Sequence, residues 1–209
     1  MKHGLIIESL QQRIRMGLPG QISHFKMLPA ERRSSLRPVF DSLEPKQSSV
    51  LILLFPLDDF LGTILIKRTE DNSVHSGQIS FPGGRREESD ASHIQTALRE
   101  AEEETGIRPE KIRIIGELSP LYVSPSNFMI YPVIGYNQKR PDLLPNPSEV
   151  ECIIEISLKN LETFRTVADL EVRGYKFSQV PCFSVNGHIV WGATAMIIQE
   201  LMDVFAAMQ

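Results

Sequence analysis

Glu100, Glu103 and Glu104 stand together in the stretch Arg99-Glu100-Ala101-Glu102-Glu103-Glu104-Thr105-Gly106-Ile107. If this stretch is helical, Glu100 and Glu104 are four apart and Glu100 and Glu103 three apart, so the three carboxylates share a face. Each such like-charge pair costs about 0.2–0.5 kcal/mol. Acid at a helix C-terminus also opposes the helix dipole, which favours cations there. A divalent cation reverses the balance, because hard ions take carboxylate oxygens. Such an ion can neutralise negative charge on a ligand and activate a water, so a metal-assisted site is the chemistry in view. For an isolated acidic run, a solvated helix end is the plainer reading. The Pro82-Gly83-Gly84 turn upstream and the Arg-Glu-x-x-Glu-Glu-x-Gly spacing weigh against it.

The elements that must hold these residues are legible around them. Ile94, Leu98, Ala101 and Thr105, with Ala97 beside them, follow the helical period and form an apolar face. Glu102 falls well round from Glu100 and reads as a solvated charge. Arg99 sits four before Glu103 and can brace it. Ser92 or Asp90 can cap the start, and Ser92-x-x-Gln95 fits a capping box. Gly106 supplies a left-handed stop and Pro109 follows it. Upstream, Gln78-Ile79-Ser80-Phe81 is a short strand running into the Pro-Gly-Gly turn. Val50 to Leu54 is a uniformly apolar strand, buried on both faces. Asp58-Asp59 turns it into a second strand, Leu61 to Lys67. Residues 3–17 form an amphipathic helix, and 19–48, with four prolines, form a wrap or linker in which Glu31-Arg32-Arg33 is a solvated turn. After the acidic helix, strands are expected at 112–118, 128–136, 150–156, 175–185 and 188–191, with a short helix at 158–164 and a closing helix at 193–208. Phe128 and Trp191 read as core, and Asn127 as a turn residue. Strands alternating with helices imply an α/β sandwich with a mixed sheet.

Composition excludes several classes. Over 209 residues, 42% hydrophobic and 23% charged content is ordinary for a globular chain with a sizeable core. A net charge of −4 argues against a nucleic-acid binder. Two cysteines, Cys152 and Cys182, give neither a disulfide framework nor a zinc spacing, and suit inert thiols in a reducing compartment. No apolar run is long enough to span a membrane, and no signal-peptide core or peroxisomal address is visible. A cytoplasmic monomer or homodimer acting on a small molecule, with no nucleic acid and no membrane, is the expectation.

The Arg99–Ile107 stretch resembles the Nudix hydrolase signature, G-x5-E-x7-R-E-U-x-E-E-x-G-U, where U is apolar. Its second half matches without a gap. In the first half Gly84 is followed six residues later by Asp90, where the family has Glu, and Asp90 precedes Arg99 by nine residues rather than eight. Upstream, Arg68, Gly77 and Phe81-Pro82-Gly83-Gly84 are similar to the motif before this box in coenzyme A diphosphatases. Ile66 and Ser73 depart from it, standing where that motif has Thr and a second Arg. Leu118 to Phe128, Pro147 to Val150 and Trp191 to Met196 resemble the same branch.

The resemblance implies an α/β/α Nudix sandwich and a Mg2+- or Mn2+-dependent hydrolase. It would cleave the diphosphate of coenzyme A, with acyl-coenzyme A as a related substrate, into 3′,5′-ADP and 4′-phosphopantetheine. Residues 1–48 would be an N-terminal helix and wrap of the same fold, and 49–209 the hydrolase domain. Glu100, Glu103 and Glu104 are the candidate metal ligands, with a Gly83 or Gly84 carbonyl to complete the shell. Arg99 orients a glutamate, and the general base is a helix glutamate or Glu149. Candidate substrate contacts are Arg68, His75, Gln78, Gly83 and Gly84. Arg68, with Lys67 in reserve, is the candidate cation for the 3′-phosphate. Two other readings stand beside this one. One is hydrolysis of another nucleoside diphosphate derivative such as ADP-ribose. The other is a non-catalytic nucleotide-sensing module, which would be expected to have lost its glutamates.

Overall fold

The computed structural model describes residues 2–29, 44–69, 77–172 and 174–208. Of the wrap or linker expected at 19–48, residues 30–43, with Glu31-Arg32-Arg33, lie outside the described residues, as do Ser73 and His75. Two helices come first, α1 (Lys2–Arg15) and α2 (Gln21–Phe25). Then follow β1 (Lys46–Leu57), β2 (Phe60–Arg68), β3 (Ile79–Ser80), β4 (Gly83–Arg85) and the acidic helix α3 (His93–Thr105). Next are β5 (Arg113–Glu117), β6 (Leu121–Val123), β7 (Phe128–Tyr136) and β8 (Val150–Ser157). A 3-10 stretch, Leu158–Phe164, leads to β9 (Arg165–Val172), β10 (Tyr175–Val185), β11 (His188–Val190) and α4 (Gly192–Ala206).

β1 explains the layering. Leu51 to Phe55 are all fully buried. Ile52 and Leu54 join a core with Ile7 and Leu10 of α1 and Ile197, Ile198 and Leu201 of α4. Leu51, Leu53 and Phe55, pointing the other way, join Ala97 and Ala101 of α3. A strand apolar on both faces thus sits between two helical layers, as period-two alternation requires. β1 runs parallel to β7 and antiparallel to β2 and β4, so the sheet is mixed.

The β1–β2 pairing is short, from Phe55↔Gly62 to Leu57↔Phe60. Beyond it the two strands take different partners. The early part of β1 pairs with β4 through Ser48–Val50. The late part of β2 pairs with β3 and β8. Phe81-Pro82 bridges the two halves, with the Leu51 N–H donating to the Pro82 carbonyl at 2.8 Å. The acidic end of α3 lies over the place where the halves part.

Several features differ from expectation: α2 forms inside the stretch expected as a wrap or linker, β4 at the expected Pro-Gly-Gly turn, and β6 ahead of the strand expected at 128–136. β9 forms where no strand is expected, and with β10 and β11 it makes a separate three-stranded sheet. Phe128 and Trp191 are half-buried rather than core, and Trp191 occupies the N-cap of α4.

Candidate active site

Helix α3 starts and stops as its sequence directs. The Ser92 hydroxyl accepts from the Gln95 N–H at 3.2 Å, and the Gln95 side chain accepts from the Ala91 N–H at 2.8 Å. Gly106 ends it with φ 69°, its N–H donating to the Glu102 carbonyl at 2.8 Å. With Ala97 and Ala101 seated on β1, Glu104 is drawn fully inside and Glu100 to the edge of the site. Glu102 and Glu103 are left exposed.

The two glycines make room for those carboxylates. A Cβ on Gly83 would lie 2.3 Å from the Ser49 carbonyl oxygen and 2.6 Å from the Val50 Cα. A Cβ on Gly84 would lie 2.3 Å from Oε2 of Glu100. Any side chain at 84 would therefore displace the Glu100 carboxylate, while Gly83 lets β4 close on β1. The freed Gly83 N–H donates to Glu104 Oε2 at 2.8 Å.

Glu104 is the most constrained group here. Its other oxygen, Oε1, accepts from Arg68 Nη1 at 2.8 Å. Burial pushes its carboxyl up to about 7; Gly83 and Arg68 oppose the shift and Glu100 adds to it. Glu100 is also raised, first by burial and then by the charges of Glu103 and Glu149, with Arg99 opposing. This mutual repulsion among carboxylates is the electrostatic signature expected of a cation site.

Arg99 is fixed from behind. Asp90, 2% exposed, accepts from Arg99 Nε at 3.1 Å and Nη2 at 2.9 Å. It also accepts from the Thr96 hydroxyl at 3.0 Å and the Glu87 N–H at 2.9 Å. The bonds from Arg99 hold its carboxyl far below the usual carboxylate range, outweighing burial. So anchored, Arg99 reaches Glu100 Oε1 and Glu103 Oε2, both at 3.0 Å, and the Arg85 carbonyl at 3.1 Å. Although nine residues separate them, the Asp90 and Arg99 side chains meet. Spacing alone does not reveal that contact.

Glu149 is brought in by a loop that docks on the end of α3. The Asn146 N–H donates to the Glu104 carbonyl at 2.9 Å, and the Leu144 N–H to the Thr105 carbonyl at 2.8 Å. The Asn146 side chain accepts from the Ser148 N–H and hydroxyl, at 3.2 and 2.7 Å, closing an Asx turn. The Asn-Pro-Ser run is the signal that marks this turn. Glu149 follows it, half-buried, near enough to raise the Glu100 carboxyl. The Thr69 N–H donates to the Glu149 carbonyl at 3.0 Å, tying the end of β2 to the same loop. The Gln78 carbonyl accepts from the Arg68 N–H at 3.1 Å, placing Gln78 beside it. Lys67 is paired with Glu151 at 2.6 Å, away from the acidic centre.

Among the described residues, no three His, Cys, Asp or Glu side chains are arranged to grip one ion. Glu104 is occupied by Arg68 and Gly83, and Glu103 by Arg99. The donor set nonetheless fits a hard divalent ion. It is all oxygen, its carboxylates repel one another, and Glu103, with half its side chain exposed, is free to turn.

Residues 45–173 match the model of the NUDIX domain. The match opens with β1 and ends just past β9; the rest of the chain shares its core through Phe183, Val190 and Leu201. "Nudix hydrolase 15, mitochondrial" of Arabidopsis thaliana is 36% identical over 167 residues, covering 76% of this chain and 58% of that protein. The uncharacterized Nudix hydrolase NudL of Pectobacterium atrosepticum is 36% identical over 170 residues, covering 80% of this chain and 85% of the relative. The match therefore spans under two thirds of the plant protein and most of the bacterial one. The solved structure of RenU, a Nudix hydrolase from M. smegmatis, shares the fold with a TM-score of 0.55 at 15% identity, covering 79% of this chain and 88% of that one. No helix among the described residues is long and apolar enough to cross a membrane.

Proposed function

The chain belongs to the Nudix hydrolase family, which acts on diphosphate bonds with divalent metals such as Mg2+ or Mn2+, and from that premise we propose that it hydrolyses coenzyme A. Acyl-coenzyme A is a related substrate in this reading, and the reaction is cytoplasmic. The observation that carries the hydrolase reading is the acidic face of α3 closed over Gly83 and Gly84, with Arg68 and Glu149 at its rim. The choice of coenzyme A rests on the flanking likenesses, from Arg68 and Gly77–Gly84 to Trp191–Met196.

Glu100 and Glu104, with Glu103 turned from Arg99 and a Gly83 or Gly84 carbonyl, would hold the metal. When bound, the metal supplies charge neutralisation at the diphosphate and eases ionisation of a water. The protein's own residues do the rest. Asp90 holds Arg99 so that Glu100 and Glu103 are presented together. Glu149, half-buried beside Glu100, is the candidate base for the attacking water's proton. Water adds to phosphorus, the anhydride P–O bond breaks, and 3′,5′-ADP and 4′-phosphopantetheine leave. In this reading Arg68, which pairs with Glu104, meets the diphosphate rather than the 3′-phosphate.

Purified protein incubated with Mg2+ or Mn2+ and a panel of coenzyme A, acetyl-coenzyme A, dephospho-coenzyme A, ADP-ribose and nucleoside triphosphates, with products read by mass, tests this. The highest kcat/KM is expected for coenzyme A or its ester. A much higher value for ADP-ribose would remove coenzyme A and leave the diphosphatase reading.

A further inference from the structure

Arg68 and Glu104 satisfy one another at a place where hydrolysis needs each for something else. Both oxygens of Glu104 are in use, Oε1 by Arg68 Nη1 and Oε2 by the Gly83 N–H, each at 2.8 Å. Glu104 has no exposure to water, whereas the Arg68 side chain keeps 29% of its own. The Arg68 backbone is pinned through Gln78 and, one residue on, Thr69 bonded to Glu149. The guanidinium carries five donors, and the ion pair with Glu104 employs one nitrogen. This is a removable cation on a buried carboxylate, held on a rigid strand end with a path to solvent.

We propose that Arg68 is an exchangeable counter-ion. It neutralises Glu104 while no metal is bound, and it turns to the substrate diphosphate when a divalent cation takes Glu104. The inference rests on reading the acidic face as a diphosphate-hydrolysing centre. Its physical basis is charge balance. A guanidinium and a divalent ion on one buried carboxylate repel each other strongly in a poorly solvated site. An arriving diphosphate supplies the negative charge that Arg68 gives up. Metal and substrate then tighten one another by the same factor, since coupling between two binding events is reciprocal. Arg68 would act as a positioning residue for the metal ligands and as a phosphate contact, in alternation.

The test compares wild type with Arg68→Ala, stripped of metal. Mn2+ binding is followed by electron paramagnetic resonance, and binding of α,β-methylene-ADP, whose bridge resists hydrolysis, by calorimetry. Without nucleotide, Arg68→Ala is expected to bind Mn2+ about tenfold more tightly, the equivalent of one lost competing interaction. With Mn2+ present, wild type should bind the analogue about 10- to 100-fold more tightly than Arg68→Ala, the range for a charge-assisted contact. Without metal that advantage should shrink to under about threefold. An advantage of equal size with and without Mn2+, or unchanged Mn2+ affinity in Arg68→Ala, would overturn the exchange. If Arg68→Ala does not fold, Glu104→Gln serves instead. It frees Arg68 without metal, so metal-free binding of the analogue should rise about tenfold over wild type, and no rise contradicts the proposal. Failure of wild type to bind either Mn2+ or the analogue would instead remove the hydrolase reading beneath it.

Discussion

Two glutamates among the described residues have no exposure to water, Glu104 in α3 and Glu200 in α4, and their surroundings differ in kind. Glu200 is met by fixed donors. Its oxygens lie 2.9 Å from the His24 imidazole, 3.1 Å from the Gly20 N–H and 3.3 Å from the Ser119 N–H. It ties the turn before α2 and the loop after β5 to the closing helix. Beside it Asp203 receives Lys26 at 2.8 Å, together with the Ser23 hydroxyl, so the joint is repeated one turn on. Among the described residues, Glu104 is met by the Gly83 amide and by an arginine that reaches solvent. A buried carboxylate walled by backbone and imidazole is a structural fastening. One left to a removable cation is, in the proposed reading, a binding group held ready.

The largest effect expected from this contrast is on stability. Glu200→Ala leaves the His24 ring and two N–H groups without their acceptor, and should cost about 3–5 kcal/mol in urea unfolding. Glu104→Ala leaves the buried Gly83 N–H without its acceptor but removes a carboxylate that burial already disfavours and releases Arg68 to water, so it should cost about 1–3 kcal/mol, less than Glu200→Ala. Equal losses would erase the distinction.

The pH dependence sharpens it. The Glu104 carboxyl is raised from 4.5 to about 7 in the folded protein. The folded state therefore binds this proton more tightly than the unfolded chain. The associated stability is fully present below pH 4.5 and is lost as pH rises toward 7. Metal-free wild type should lose on the order of 3 kcal/mol across that window. Glu104→Gln should flatten this part of the profile, and Glu200→Gln should leave it in place. Melting curves of metal-free protein between pH 4 and 8 decide the matter.

A smaller effect is expected one step away from the proposed metal ligands. Asp90→Asn weakens the clamp on Arg99 without emptying its place. Turnover at saturating metal should fall about tenfold, as for other residues that orient metal ligands. Asp90→Glu should recover part of the loss.

Much of the α3 region was legible because its signals are local. The cap at Ser92, the stop at Gly106, the apolar stripe and the shared face of Glu100 and Glu104 all lie within one helix. The strands at β1, β2, β7 and β8 were equally plain from apolar runs and turns. β9 escaped because its exposed, mixed residues pair mainly with β10, leaving no run of buried apolar positions. The Arg68–Glu104 bond joins residues 36 apart in the chain, and only the folding of β2 against α3 brings them together. Asp90 is visible as a departure from a motif, but its contact with Arg99, nine residues on, follows only from the fold. The placing of Asn146 and Glu149 likewise follows from a loop docking on the end of α3, which no spacing announces.

The account stands on the claim that one face of α3 does the chemistry. Turnover of coenzyme A with Mg2+ by Glu104→Gln and by Glu102→Gln tests it most directly, since the two residues are two apart and face opposite ways. Glu104→Gln should lower kcat by roughly a thousandfold or more, the rate equivalent of several kcal/mol of lost charge stabilisation. Glu102→Gln, at an exposed position, should stay within about twofold of wild type. Equal losses from the two changes, with both variants folded, would contradict the assignment of the active face.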